Sequence, residues 1–362
     1  MSDPSKHRAE TPRASGSLVR RLVPAIIAAV LVTGGVTAAA VVDPFADDPA
    51  EPTRRTVGMS ISGAMTAQLL EEAPQPVVAG EKLRLTKARK AELKRLEEQR
   101  KARLKAERIA AKRAAQPFSF QIASFNVLGS NHTGPGGARR NFPAAGTRTP
   151  QGVGVLRSHG TDVVGLQEAK PDQLGTIMRM TGFVGYPGPG AADPDNTVLW
   201  DPSRFELVSG STFPIVFMNR TRPQTIVRLR DKPTKREFYV VNMHPSAGHD
   251  ARNTSTRVAG WRRGVAEVNA LRQSGLPVLV TGDMNDRAAF FCAFLPPTGF
   301  VAAVGGSTSG GCRPPGRMPV DWIVGSPDVS FSGYVIDEST VNRRISDHFY
   351  ISATATVAPA GD

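Results

Sequence analysis

Pro277-Val278-Leu279-Val280-Thr281-Gly282-Asp283-Met284-Asn285 is the stretch from which the fold is read. Its apolar start has the length and character of a buried strand, one that hides side chains on both faces. The run breaks at Gly282 and presents a carboxylate and a carboxamide two residues apart. Strand ends are where loops carry chemistry and not packing. An aspartate there can hold a cation or take a proton, and an asparagine amide can donate to an anionic oxygen without adding charge. A Gly-Asp-x-Asn segment suits a plain turn equally well, so the surrounding chain has to decide.

Outward from that stretch the same pattern repeats. On the N-terminal side, Arg257–Ser274 is helical and stops at Gly275, and Phe238-Tyr239-Val240-Val241 is a strand that delivers Asn242-Met243-His244. Farther back, Thr225–Leu229, Phe205–Val208 and Thr197–Trp200 read as strands. Asp162–Leu166 ends in Gln167-Glu168, and Gly152–His159 is a short helix after a Gly/Asn/Arg-rich loop that runs to about Pro150. Phe118–Phe125 alternates apolar and polar residues and ends at Asn126. On the C-terminal side, a loop holding Cys292 and Cys312 precedes Val320-Asp321-Trp322-Ile323-Val324. Tyr334–Ile336 and Phe349–Ala353 close the series, with Ser346-Asp347-His348 just before the last strand. Strands dominate, helices intervene, and no repeat of 20–50 residues is present. Residues 117–357 therefore form one α/β domain.

The N-terminal third differs in composition. Residues 1–21 are polar and end in Arg20-Arg21, and residues 22–42 then run without a charge. At 1.5 Å per residue that helix would span about 30 Å, the thickness of a bilayer's hydrocarbon. The basic pair before it and Asp43, Asp47 and Asp48 after it place residues 1–21 in the cytoplasm and the bulk of the chain outside. A cleaved signal peptide, with Ala38-Ala39-Ala40 at the cleavage site, is the alternative. The length favours the anchor, and the charged flanks disfavour a buried core helix. Residues 43–80 are an acidic, Pro/Ala-rich linker, and residues 81–116 a basic charged helix or stalk whose apolar seam is too thin for a coiled coil.

The formal charge of +13 is carried mostly by that stalk, which is +9, leaving residues 117–362 only +5. A high overall pI is thus no evidence for nucleic-acid binding by the folded part. The two cysteines show no CxxC or His/Cys spacing, which excludes a sulfur-ligated zinc site. In an oxidising compartment Cys292 and Cys312 would pair. No Gly-x-Ser-x-Gly elbow occurs in the folded part, so a serine-hydrolase arrangement has no anchor.

The polar strand ends are Asn126, Glu168, His244, Asp283 with Asn285, Asp321, and Asp347 with His348. Each has a dull explanation alone; what raises them is that every one follows or interrupts an apolar strand, so that all can converge on one pocket. Hard oxygen ligands suit Mg2+ or Ca2+ and not zinc. Two histidines titrating near neutral pH would serve as proton acceptor and donor, with Asp321 holding one ring by its other nitrogen.

Phe125-Asn126-Val127, Leu166-Gln167-Glu168, Asn242-Met243-His244, Gly282-Asp283-Met284-Asn285, Val320-Asp321-Trp322 and Ser346-Asp347-His348 resemble, in order, the motifs of the endonuclease/exonuclease/phosphatase superfamily. That superfamily includes pancreatic-type deoxyribonucleases, AP endonucleases, neutral sphingomyelinases and inositol polyphosphate 5-phosphatases. The resemblance covers residues 118–355 and implies a four-layer α/β sandwich of two packed mixed β-sheets flanked by helices. It implies Glu168 as the principal metal carboxylate, with Asn126 and Asp347 beside the ion. It gives His348 the role of base or phosphate-polarising group and Asp321 that of its orienting carboxylate. Asp283 and Asn285 would orient the water and the phosphoryl oxygens, and His244 would be a second catalytic histidine. AP endonucleases carry tyrosine at that last place, so the chain departs from their branch.

A membrane-anchored, bacterial-type enzyme follows, using Mg2+ (alternatively Mn2+ or Ca2+) to hydrolyse a phosphodiester outside the cytoplasm. Nucleic acid is the favoured substrate, and membrane phospholipid or sphingomyelin, or a phosphomonoester, the alternative. A non-catalytic binding module would not need the full set of motif residues. Arg222, Arg228 and the Arg139-Arg140 pair are candidate phosphate contacts. No protein partner is indicated.

Overall fold

The computed structural model describes residues 87–359. The expected transmembrane helix at Leu22–Val42, the tail 1–21 and the linker 43–80 lie outside the described residues. Among the described residues, no helix is long and apolar enough to cross a membrane. The chain runs from α1 (Lys87–Ala114) through β1 (Phe118–Asn126), α2 (Ser130–Thr133), α3 (Ala145–Ser158), β2 (Val163–Gln167) and α4 (Pro171–Thr181). Next come β3 (Val184–Tyr186), β4 (Val198–Trp200), β5 (Phe205–Phe217), β6 (Arg220–Asp231), β7 (Glu237–Met243) and α5 (Ala251–Arg272). It finishes with β8 (Val278–Asp283), α6 (Ala288–Thr298), β9 (Val301–Ala302), β10 (Asp321–Gly325), β11 (Val329–Asp337), α7 (Ser339–Asn342) and β12 (Tyr350–Val357).

Two six-stranded sheets result, ordered β11-β12-β1-β2-β4-β3 and β5-β6-β7-β8-β10-β9. Both are mixed: β1 lies parallel to β2 in the first and β7 parallel to β8 in the second, while the other pairs are antiparallel. The period-2 alternation of β1 sends Phe118, Phe120 and Ile122 between the sheets, where they meet Phe205, Phe238 and Leu279. Ala123 and Phe125 point the other way, onto Val153, Leu156 and Leu174 of α3 and α4. In β8, Leu279 faces the inter-sheet core, whereas Val278 and Val280 pack with Trp261, Phe290 and Phe294 of α5 and α6. The apolar run at 278–280 is thus buried on both faces, and the layers are helices, sheet, sheet, helices. Each buried Phe or Leu here contributes roughly 2–3 kcal/mol.

At the carboxyl ends of the two parallel pairs the apolar filling gives way to a polar stitch. Asn242 of β7 donates to Leu166 O (2.7 Å) and Thr197 O (3.2 Å) in the opposite sheet. Its Oδ1 accepts from Gln167 Nε2 at 2.7 Å and Thr281 Oγ1 at 3.1 Å. Gly165 leaves the room for it: a Cβ there would fall 2.0 Å from Thr281 Oγ1 and 2.5 Å from Asn242 Oδ1.

Several elements differ from the sequence reading. Gly282 does not break its strand; β8 runs through it to Asp283. Glycine is required there because Met243 of the paired β7 comes so close that a Cβ would meet its carbonyl oxygen at 2.2 Å. The helix expected at Gly152–His159 begins at Ala145, inside the supposed loop, because buried Arg148 pins it by donating to Pro143 O, Val127 O, Leu128 O and Ile345 O. Helix α5 starts before Arg257, capped by Asp250, whose side chain accepts from Asn253 N at 2.9 Å. Cys292, expected in a loop, lies in a helix, α6, which continues through Pro296-Pro297, and α4 and β3 are elements the sequence reading lacks. Strands β5 and β6 form one long hairpin in which Pro214 and Pro223 face each other. β11 begins at Val329, ahead of the expected Tyr334.

Cys292 and Cys312 form a disulfide that ties α6 to the glycine-rich loop behind it. Chain entropy assigns a 20-residue loop about 3 kcal/mol. Thermal melts with and without dithiothreitol should therefore differ by several degrees, and coincident melts would remove that contribution. Gly165→Ala, which forces the sheets apart at the stitch, is expected to cost about 2–3 kcal/mol by denaturant titration.

Candidate active site

One or two residues beyond Gln167, Asn242 and Thr281 of the stitch, the chain reaches Glu168, His244 and Asp283, which with Asn285, Asp347 and His348 line a cavity of about 620 Å³. Asn126 and Asp321 are buried just beneath it. All eight residues expected from the sequence are therefore brought together. Asn126 ends β1, Glu168 follows β2, His244 follows β7 and Asp283 ends β8. Asp321 opens β10 directly opposite Asp283 in the antiparallel register, and Asp347-His348 precede β12.

The Oδ2 atom of Asp283 is the focus. Asn126 Nδ2 donates to it at 3.1 Å, and His244 Nε2 and His348 Nε2 stand 3.4 Å and 3.5 Å away on either side. Its Oδ1 accepts from Asn285 N at 2.9 Å, with Asn285 held in left-handed backbone (φ 53°), a conformation asparagine tolerates. Trp261 Nε1 donates to Met284 O and Trp322 Nε1 to Asp286 O, so the loop carrying this pair is held from below. Burial raises the Asp283 carboxyl to about 7, against the pull of His348.

The two histidines are set in opposite ways. His348 Nδ1 lies 3.1 Å from both oxygens of Asp321. Burial alone would discharge the ring, but Asp321 and Asp283 outweigh it and raise His348 well above its ordinary value. Its backbone N–H donates to Ser346 Oγ, which itself donates to Asn126 O at 2.6 Å, so the serine of Ser-Asp-His sets the ring's height. His244 faces a cation instead: Arg222 Nη1 is 3.1 Å from its Nδ1. Complete burial and then the Arg222 charge bring His244 down to about 3. The expectation of two histidines titrating near neutrality is therefore corrected. One is kept neutral and the other cationic, and the group brought toward neutrality is Asp283.

Asp283, Asp321 and His348 offer ligand atoms within 4.8 Å of one another. The carboxylates bracket opposite ring nitrogens, however, so one ion could not take His348 together with both. We read them as a hydrogen-bonded chain. Glu168 fits a hard cation better. It sits in left-handed backbone (φ 62°) that turns its carboxylate into the cavity. Its Oε1 accepts from Asn126 Nδ2 at 3.1 Å, and its Oε2 from Gly129 N at 3.2 Å, with His132 Nε2 at 3.1 Å. Burial works against ionisation, but the His132 and Asn126 contacts hold Glu168 far below the usual carboxylate range. The ion pair correspondingly raises His132. Asn126 turns its oxygen to Leu128 N at 3.0 Å and its nitrogen to the two carboxylates, so in this arrangement it supports Glu168 as a donor. Asp347 lines the cavity and takes Arg139 Nε at 2.9 Å.

Of the candidate phosphate contacts, Arg139 and Arg222 reach the cavity, while Arg228 is spent on Glu237 and Arg140 is exposed. Sequence reasoning missed His132, Lys170, Asp195 and Arg220, which also line it. His132 lay in an apparent loop, and Arg220 in a hairpin half hidden by its prolines; Asp195 precedes a strand that was read correctly but carries no motif.

No curated protein sequence matches the chain. Among solved structures, an endonuclease/exonuclease/phosphatase family protein from Bacteroides thetaiotaomicron aligns with a TM-score of 0.53 at 19% identity, covering 67% of this chain and 99% of that one. The human nocturnin catalytic domain with bound sulfate aligns at 0.53 and 16%, covering 66% and 96%. A humanised TDP2 from D. rerio aligns at 0.51 and 19%, covering 66% and 98%. These likenesses show the fold. The model of the endonuclease/exonuclease/phosphatase family matches residues 123–348, a span that begins in β1 and ends on His348. The chain belongs to that family and is a phosphoester-hydrolysing enzyme.

Proposed function

We propose that the protein is a divalent-metal-dependent phosphodiesterase whose substrate is nucleic acid. The carrying observation is the convergence of Asn126 Nδ2, His244 Nε2 and His348 Nε2 on one oxygen of Asp283. All three side chains after Asn126 in that cluster, His244, His348 and Asp283, line the cavity, so one carboxyl able to take a proton and two ring nitrogens able to donate face the same space. In this reading Asp283, whose ionisation lies near neutrality, takes the proton of the attacking water. His348, charged and held by Asp321, and His244, neutral, donate to phosphoryl oxygens, and the second amide hydrogen of Asn285 helps orient them. Its first is committed to Pro245 O.

Enzymes of this family depend on a divalent metal. Glu168, with Asp347 across the cavity, would hold the ion, which would supply Lewis-acid polarisation of the phosphoryl group. Mg2+ suits this all-oxygen pair best. His132 then serves as a cationic partner for Glu168.

Two observations support a nucleic-acid substrate: the cavity accommodates a nucleotide-sized group, and cationic Arg139 and Arg220 flank it. A D. rerio TDP2 solved with a single-strand DNA product has the same fold (TM-score 0.50, 16% identity). Membrane phospholipid remains the second reading, favoured by the anchor-like residues 22–42. The Cys292–Cys312 disulfide supports an extracytoplasmic address for the enzyme, and residues 1–42 a bacterial-type membrane anchor with a cytoplasmic N-terminus.

Turnover of plasmid DNA, RNA, sphingomyelin and bis-nitrophenyl phosphate should separate these readings. Cleavage of nucleic acid that stops in EDTA and returns with Mg2+ is expected, whereas cleavage of sphingomyelin alone would move the substrate to lipid. Glu168→Gln should weaken Mg2+ binding at least tenfold in calorimetry. His244→Ala and His348→Ala should each fold normally yet lose about 10²–10³-fold in kcat. Carboxyl-carbon NMR in EDTA should show one aspartate, missing from Asp283→Asn, that is protonated below and ionised above roughly pH 7. An aspartate signal there that survives the substitution would reassign the base.

A further inference from the structure

The surroundings of His244 contain a second tier that the proposed reaction does not itself explain. Asp195 is buried, with 2% of its surface exposed, and it gathers cations. Lys170 Nζ reaches both of its oxygens at 2.7 Å, and Arg222 Nη2 donates to Oδ2 at 2.8 Å. Arg222 is equally buried, and its guanidinium lies 3.8 Å from the centre of the Phe217 ring, which packs edge-on against His244 at 4.8 Å. The bond to Asp195 and the Phe217 ring hold the guanidinium with Nη1 at His244 Nδ1.

A guanidinium has five N–H donors and no acceptor. A 3.1 Å contact between Nη1 and Nδ1 is a hydrogen bond only if Nδ1 carries its lone pair. The single ring proton of a neutral imidazole must then sit on Nε2, which faces Asp283 and the cavity. A ring protonated on both nitrogens would put Nδ1–H against Arg222 N–H, losing the bond and setting two cations in contact. At His348 the same ring position meets the Asp321 carboxylate, which accepts where Arg222 donates.

We propose that Arg222, anchored by Asp195 and Lys170, is a positioning residue that fixes His244 as the neutral tautomer with its proton on Nε2. His244 thereby becomes a permanent hydrogen-bond donor to the substrate's phosphoryl oxygen and is withdrawn from proton transfer. This rests on the hydrolase reading above for its purpose, though not for its geometry. The Lys170–Asp195–Arg222 cluster therefore acts on the reaction through His244: it sets which ring atom holds a proton.

The test is nitrogen-15 NMR of the full chain labelled in its histidine rings, in EDTA and without substrate, with His244 assigned by its absence in His244→Asn. One ring should show the Nε2–H tautomer with a hydrogen-bonded, unprotonated Nδ1, unchanged from pH 5.5 to 8. Arg222→Met should turn that signal into a mixture of tautomers and lower kcat by about 10–100-fold with KM little changed, the size expected for residues that orient a functional imidazole. Arg222→Gln keeps an amide donor at that place and should restore the single tautomer and most of kcat. An Nδ1–H tautomer or an imidazolium at His244 in the unsubstituted protein would overturn the proposal, and so would a folded Arg222→Met with an unaltered ring signal. The unsubstituted spectrum decides even if Arg222→Met fails to fold. It requires no turnover, so a protein inactive on every phosphoester would remove the proposed function and leave the tautomer measured.

Discussion

The carboxamide of Asn242 is the constraint on which the site depends. It reaches from one sheet to the other with all four of its hydrogen-bonding positions engaged, two as donor and two as acceptor. A buried amide so satisfied has one acceptable position, because any shift strands a polar atom in a water-free interior. Two sheets joined only by Phe, Leu and Val could slide over one another by fractions of an ångström at little cost. Joined by Asn242, they cannot, and the contact from Asn126 in one sheet to Asp283 in the other inherits that precision.

The strand plan makes the convergence natural. Both sheets carry the same sequence of relations across their six strands: antiparallel, antiparallel, parallel, antiparallel, antiparallel. Each has one parallel pair near its centre, and parallel strands end on the same edge. Four strand ends, carrying Asn126, Glu168, His244 and Asp283, therefore come out on one side of the sandwich. The antiparallel neighbour β10 begins where β8 ends, which brings Asp321 in from the opposite chain direction.

Much of this was legible in the sequence because buried strands announce themselves. The stretch at 277–283 lost nothing but its expected break at Gly282, and the eight candidate site residues sit at the cavity or are buried next to it. What escaped was held by tertiary contacts. The start of α3 depends on Arg148 binding, besides the nearby Pro143 O, the carbonyls of Val127, Leu128 and Ile345 from distant segments, which no local pattern encodes. Prolines at 214 and 223 look like breakers until they are seen paired across a hairpin. The opposite states of the two histidines were out of reach for a similar reason. Both end or precede apolar strands, and only the partner at Nδ1, arginine in one and aspartate in the other, tells them apart. Arg222 was noticed as a cation, but its burial, which changes its use, is a property of the fold.

The disulfide has a consequence for biosynthesis. Cys292 and Cys312 are the only cysteines in 362 residues. Oxidation of a single chain thus has one possible intramolecular product, so no scrambled isomer can form and no reshuffling step is required. The errors left open to it are failure to oxidise and cross-linking between chains. Both would be read directly on a gel, as a free thiol or as a dimer that a reductant dissolves.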